Sequence, residues 1–239
     1  MLQDRKRPAR TDACKAAQAR NSCACLSVVL TLYHCRGARS LRVLWTLEEM
    51  GLAYEPVLLP FPPRVLAKSY LAINPLGTVP FFIDGEVRMS ESSAICVYLT
   101  SRYGPTSLRV AEDERDHASF LNWLFFADAT LTFPLTIVLR YRRLEPPERR
   151  NEQAAADYER WFLARLRAVE ATLSDRQYLC ADRFTIADTA IAYALHLADS
   201  VVGLSHGFGA NVRAYLNRAR ARPGFIKAME VDERAPDWR

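Results

Sequence analysis

NPLGTVPFF at positions 74–82 and SESSAI at positions 90–95 are the two runs from which the rest of the chain can be read. Asn-Pro followed by Gly77 marks a turn, and Val79-Pro80 opens a strand. Proline cannot donate to a sheet ladder, so Pro80 belongs at a strand start or edge. A cis Val79-Pro80 bond turns the chain sharply and leaves the Val79 N–H and C=O facing outward. An extended ligand backbone could then pair with them as an added strand. A trans bond is the ordinary turn alternative. Glu91 and Ser92 lie where the next helix begins, with unpaired amides and the positive end of the helix dipole. Ser92 suits a carboxylate and Glu91 an ammonium group; the same residues could equally cap the helix.

Outward from these runs the chain divides in two. Residues 26–33 (LSVVLTLY) form a short β-branched apolar run, hence a buried strand. Residues 40–51 predict a helix, with Ser40 as N-cap, Leu41, Leu44, Trp45 and Leu47 on one face, and Gly51 as stop. A second strand is expected at 54–59 and a short helix at about 64–73. Strands at 79–83 and 86–89 meet at Asp84-Gly85, a tight-hairpin dipeptide, and a helix follows over 91–103. The first two strands flank a crossover helix and should be parallel; the hairpin adds an antiparallel pair. Beyond Gly104-Pro105 the pattern is helical throughout. Tyr158, Trp161, Phe162, Leu166, Val169 and Leu173 recur at helical spacing, and Thr185-Ile186-Ala187-Asp188 is a capping box. The expected division is 1–25 as a disordered basic extension, 26–104 as a small α/β domain, and 108–232 as an all-helical domain.

Composition narrows the function classes. The net charge is +5, but six basic and two acidic side chains fall in residues 1–25, which therefore hold four of those charges. A nucleic-acid reader carries its basic stripe on the folded body, so that class is set aside. No apolar run approaches the ~20 residues that span a bilayer, so no membrane partner is expected. Six cysteines (Cys14, Cys23, Cys25, Cys35, Cys96, Cys180) contain no Cys-x-x-Cys pair. No metal site is expected, and the scattered thiols suit a reducing, cytoplasmic setting.

The ordered combination of NPLGTVPFF, SESSAI, TIAD at 185–188 and RSLRVLWTLEEMGLAYE at 39–55 resembles the glutathione S-transferase family, of the bacterial, cytosolic kind. The resemblance covers roughly residues 26–230. It implies a thioredoxin-like α/β domain followed by an all-α helical domain, and a homodimer. It also implies a cis Val79-Pro80 bond that pairs with the cysteinyl unit of glutathione. Glu91 and Ser92 would hold the γ-glutamyl end, with Lys68 a candidate for the glycyl carboxylate. Glutathione would be the co-substrate, its thiol attacking a small apolar electrophile or a peroxide in a detoxifying reaction.

The thiol-activating residue departs from the family's pattern. Relatives place Ser, Tyr or Cys just after the first strand, whereas this chain has Gly37 and Ala38 there. Ser40 is the expected catalytic residue and Cys35 the alternative, the latter as a disulfide-exchange nucleophile; Tyr33 ends a strand and reads as core. GARSL at 37–41 looks like a Gly-Ala-Cys-Ser-Leu run with Arg39 in place of the cysteine. Trp123 and Phe126 are the expected lining of the electrophile pocket, with Phe133 and Tyr141 as further aromatic candidates. A non-catalytic glutathione-transferase-like interaction module stays open beside the enzyme.

Overall fold

A computed structural model of the chain describes residues 29–237; the basic extension expected at 1–25 lies outside the described residues. The first unit contains β1 (Leu30–His34), α1 (Leu41–Met50), β2 (Tyr54–Leu58), α2 (Pro63–Leu66), β3 (Phe81–Asp84), β4 (Val87–Met89) and α3 (Ser92–Arg102). The strands form one four-stranded sheet in the order β2-β1-β3-β4. β1 and β2 are parallel, while β1–β3 and β3–β4 are antiparallel. The helix expected at 64–73 is split. It ends after Leu66, and a separate 3₁₀ turn runs over Lys68–Ala72, because Ala67 between them leaves helical geometry at φ −133°.

The second unit is helical. α4 (His117–Phe125), α5 (Phe133–Leu139), α6 (Glu152–Thr172), α7 (Ile186–Leu197), α8 (Ala210–Arg220) and α9 (Pro223–Asp232) follow in order. A wider π-type turn at Phe126–Thr132 joins α4 to α5, and a second at Arg140–Leu144 extends α5, making one continuous helical stretch. That stretch, His117–Leu144, has 28 residues and is long and apolar enough, by length and composition, to cross a membrane. The sequence pattern predicts no apolar segment of that length; polar residues such as Asp128 interrupt the run without interrupting the helix. Its Phe120, Leu124, Ala127, Leu131, Leu135 and Val138 are buried at three- and four-residue spacing and form a wall of the core.

α1 joins the two units. The sequence predicts one apolar face, but every residue from Leu41 to Thr46, and Leu47 after it, is buried, as befits a helix covered on all sides. Trp45 meets the Phe225 ring edge-on at 4.8 Å and the Phe184 ring at 5.4 Å, both from the helical unit. Arg222 closes the contact with paired hydrogen bonds to Glu49, 2.8 and 2.7 Å.

The capping box at the head of α7 is the polar centre of the helical unit. Asp188 is fully buried and accepts from the Thr185 N–H (2.9 Å), the Leu179 N–H (3.1 Å) and the Tyr215 hydroxyl (3.0 Å). Burial pushes its carboxyl up to about 6, against the pull of those donors. Asp188→Ala strips four buried donors of their acceptor, these three and the Thr185 hydroxyl at 3.0 Å, each worth about 1–3 kcal/mol. We expect a loss of at least about 3 kcal/mol, read as a lower urea midpoint at unchanged slope. The unfolded carboxyl titrates near ~3.9. Between that value and about 6 only the folded state holds the proton, so this group's contribution to stability falls as pH rises through the window. Asp188→Asn should remove that component from the pH profile.

Candidate active site

Between the sheet unit and the helices lies a cleft of about 360 Å³. One wall starts at the 74–77 turn. Asn74 is buried, accepts from the Leu76 N–H at 3.2 Å and donates through Nδ2 to the Thr78 carbonyl at 2.9 Å. The Tyr70 hydroxyl donates to the same carbonyl at 2.7 Å. Gly77 has φ +59°, and a Cβ there would lie 2.6 Å from the Arg64 Cβ, so only glycine lets α2 come this close. The result is a fixed Thr78-Val79-Pro80 segment facing the cleft, with the Val79-Pro80 bond cis. Among the described residues the Val79 N–H and C=O have no hydrogen-bond partner.

Beside this segment, Ser90, Glu91 and Ser92 line the cleft at the start of α3, where Glu91 is exposed and Ser92 buried. Lys68 does not line it. It is exposed on the 3₁₀ turn, and the basic residue of this region that reaches the cleft is Arg64. The break after Leu66 separates the two.

The loop before α1 supplies Gly37, Ala38 and Arg39 to the cleft. Gly37 has φ +62° and is held from both sides: its N–H donates to Asp232 at 2.8 Å, and its carbonyl accepts from the Tyr193 hydroxyl at 3.1 Å. Neither expected catalytic side chain is in the cleft. Ser40 is fully buried, its hydroxyl has no hydrogen-bond partner among the described residues, and it caps nothing. Its backbone is helical at φ −61°, ψ −19°, rather than the extended geometry that aims an N-cap hydroxyl at the helix amides. Cys35 is buried behind the loop, its thiol donates to the Pro60 carbonyl at 3.6 Å, and burial pushes its pKa up to about 12. Tyr33 packs between Tyr70 and Phe81, outside the lining. The amides of Arg39 and Ser40 remain without a partner among the described residues.

Behind the loop lies a buried ionic network. Arg42 is fully buried and donates to Ser92 Oγ at 3.1 Å, to Thr132 Oγ1 at 2.7 Å, and to Asp128 through a close ion pair. Its guanidinium sits 4.7 Å from the Tyr193 ring centre. Asp128 also accepts from Ser93. Burial pushes the Asp128 carboxyl up, but the Arg42 charge, these hydrogen bonds and Arg39 outweigh it and hold the pKa below the ordinary value.

The opposite wall differs from the expected one. Thr132, Thr136 and Leu139 line it from the long helical stretch, with Leu144, Tyr193 and Leu197. Trp123 and Phe126 do not. Trp123 is buried and borders a separate depression formed with the end of α6, and Phe126 meets its ring edge-on at 5.3 Å and packs on the core. Phe133 is half-exposed against Tyr158, and Tyr141 lies outside the lining. The three cleft-lining positions repeat at four and three residues, and the π-type turn at Phe126–Thr132 shifts the register before them. No aromatic pattern in the sequence signals that shift. Among the described residues no group of His, Cys, Asp or Glu is clustered to hold a metal ion.

A small mixed sheet with a cis-proline strand start, joined through α1 to an all-helical unit with a cleft between them, defines a thioredoxin-like domain carrying a helical domain. That is the fold class of the glutathione transferases. The model of the glutathione S-transferase N-terminal domain matches residues 32–107, and that of the C-terminal domain matches residues 126–223. Glutathione S-transferase F10 of Arabidopsis thaliana is 31% identical over 170 residues, covering 68% of this chain and 78% of the relative. Glutathione S-transferase GstB of Escherichia coli is 29% identical over 193 residues, covering 80% and 92%. The solved structure of Ure2p in complex with S-hexylglutathione has a TM-score of 0.72 at 25% identity, covering 84% of this chain and 98% of that one. The chain belongs to the glutathione S-transferase family, and the enzyme class is that of a glutathione transferase.

The Arg42 network makes a prediction about stability. Arg42→Met leaves Asp128 charged without its partner, and Thr132 and Ser92 without a donor. The loss should be about 3 kcal/mol, at the low end for a broken buried pair because Asp128 keeps a third of its side chain exposed. The Arg42→Met, Asp128→Leu double variant should lose less than the two single losses added, as a double-mutant cycle in denaturant would show.

Proposed function

We propose that the cleft binds glutathione in an extended form and presents its sulfur at the N-terminus of α1, next to an apolar electrophile on the helical wall. The observation that carries this reading is the convergence of Val79-Pro80, Ser90 to Ser92 and the Gly37 to Arg39 loop on one cleft. The Val79 N–H and C=O pair with the cysteinyl unit. The head of α3 takes the γ-glutamyl carboxylate on its amides and the Ser92 hydroxyl, and Glu91 takes the ammonium. Arg64, beside Gly77, replaces Lys68 as the cation for the glycyl carboxylate. Leu139, Leu144 and Leu197 give the second substrate an apolar surface, and the Thr132 and Thr136 hydroxyls add a polar edge. That Ure2p is solved with S-hexylglutathione, an apolar chain on the same sulfur, supports the arrangement.

In conjugation the thiol proton goes to solvent. The sulfur lone pair then forms a C–S bond to the electrophilic carbon, and the leaving group departs with its bonding pair. With the Ser40 hydroxyl and the Cys35 thiol both buried, the Arg39 and Ser40 amides are the donors at the sulfur position, aided by the α1 dipole. Burial also speaks against Cys35 as a disulfide-exchange nucleophile. The missing hydroxyl is the specific feature that favours a second reading, a glutathione-binding module without turnover.

A glutathione resin followed by a chromogenic conjugation assay separates the two. Retention with turnover supports the enzyme, and retention without turnover the module. Failure to bind would overturn both. In the enzyme, Ser40→Ala and Cys35→Ser should leave kcat within about twofold, since neither side chain reaches the cleft. Glu91→Ala and Ser92→Ala should chiefly raise the KM for glutathione, the signature of lost ground-state binding.

The homodimer belongs to the same proposal. Leu71, Ile73 and Leu76 are exposed on the first unit, and Leu121 and Phe125 on the second, an arrangement that a two-fold partner could cover reciprocally. Light scattering should give twice the 27.1 kDa chain mass, and Leu76→Arg should shift it to the monomer. The buried free thiols Cys35, Cys96 and Cys180 fit a reducing, cytoplasmic setting.

A further inference from the structure

The cleft holds two arginines, and glutathione binding as proposed uses only Arg64; a role for the second rests on that same binding mode. Arg39 lines the cleft half-buried at the head of α1, and its guanidinium makes no hydrogen bond or ion pair with any described residue. No carboxylate is paired with it directly, although its charge helps to hold the Asp128 pKa down. Asp128, from the long helical stretch, is already paired with Arg42 and accepts from Ser93. Tyr193, from α7, spends its hydroxyl on the Gly37 carbonyl. Glu91, at the head of α3, lines the same cleft without pairing to Arg39. Arg64 adds positive charge at the cleft, while that of Arg42 is balanced by Asp128. A directly unpaired cation beside unpaired helix amides favours an anion at this end of the cleft.

We infer that Arg39 is a catalytic residue whose guanidinium is the counter-charge of the glutathione thiolate. The placement favours the sulfur over a charged second substrate. Arg39 belongs to the loop whose amides face the sulfur position. It also occupies the place of the cysteine in the Gly-Ala-Cys-Ser-Leu run that GARSL resembles. The helical wall where the electrophile would lie is instead threonine and leucine. A guanidinium stays protonated throughout the working pH range, so Arg39 takes no proton. The thiol proton leaves to solvent, and the thiolate left behind is held by charge. A side chain that can neither donate a hydroxyl proton nor act as a nucleophile thereby takes the role that Gly37 and Ala38 cannot fill.

The test uses full-length wild type, Arg39→Gln and Arg39→Lys. The thiolate of bound glutathione is titrated by its ultraviolet absorbance, and the conjugation rate is followed against pH with one neutral and one carboxylate-bearing electrophile. Calorimetry reports glutathione affinity, and thermal melts confirm folding. The expected result is a bound-thiol midpoint about one unit higher in Arg39→Gln, with a roughly tenfold lower rate near neutral pH that recovers at high pH. Arg39→Lys should restore part of the shift, and glutathione affinity at low pH should stay within about threefold. An unmoved midpoint with normal glutathione binding would overturn the role of Arg39 alone. So would a rate loss confined to the carboxylate-bearing electrophile, which would assign the cation to the second substrate. Absence of glutathione binding by the wild type would overturn the glutathione reading itself.

Discussion

A fully buried guanidinium holds the two halves of this molecule in register. Arg42 sits on α1 in the sheet unit, yet two of its acceptors, Asp128 and Thr132, belong to the long helix of the other unit, and the third, Ser92, heads α3. An unpaired buried charge costs several kcal/mol, so such a group is tolerated only with its acceptors in place. A planar fork of donors also demands direction, unlike a point charge. Wherever α1 sits, the head of α3 and the helical wall must therefore sit at fixed offsets from it. Those three elements border the cleft on the sides away from the Val79-Pro80 segment. The residue that shapes the site does not line it.

A second set of contacts immobilises the loop between β1 and α1. Gly37 is pinned through its N–H by Asp232 of α9 and through its carbonyl by Tyr193 of α7. Asp232 also lies 3.0 Å from His34 Nε2 at the end of β1, an ion pair whenever that imidazole is protonated. Both pins come from the helical unit, while the loop belongs to the sheet unit. Amides held in place before a charge arrives stabilise it without a reorganisation cost. In the proposed mechanism, that property is what would let backbone and a single arginine stand in for a dedicated hydroxyl. It also explains why the sheet unit by itself would be an incomplete site.

The motifs that could be read in the chain are those whose physics is local. Asp84-Gly85 sets a hairpin, Gly51 adopts the left-handed stop expected of it, and Asp188 caps the helix three residues after Thr185. Each depends on a few neighbouring residues. The order of strands and helices, the parallel β1–β2 pair and the helical second half follow from periodicity and chain connectivity. The glutathione-transferase resemblance rests on the same short runs, and the family assignment agrees with it.

Side-chain destinations could not be read in this way. Ser40 and Arg39 are adjacent, and sequence favours the serine for its chemistry. The helical backbone at Ser40 buries its hydroxyl and leaves Arg39 in the cleft. Lys68 and Arg64 are four residues apart on what reads as one helix; the break at Ala67 separates them, and Gly77 brings α2 to the site. Trp123 and Phe126 look like pocket residues because they are aromatic, yet a change in helical register turns Thr132, Thr136 and Leu139 to the cleft instead. By itself the sequence determined which elements exist and in what order, because those follow from interactions along the chain. Tertiary structure alone decided which side chains meet in the cleft, because that depends on how two separately patterned units dock around one buried charge.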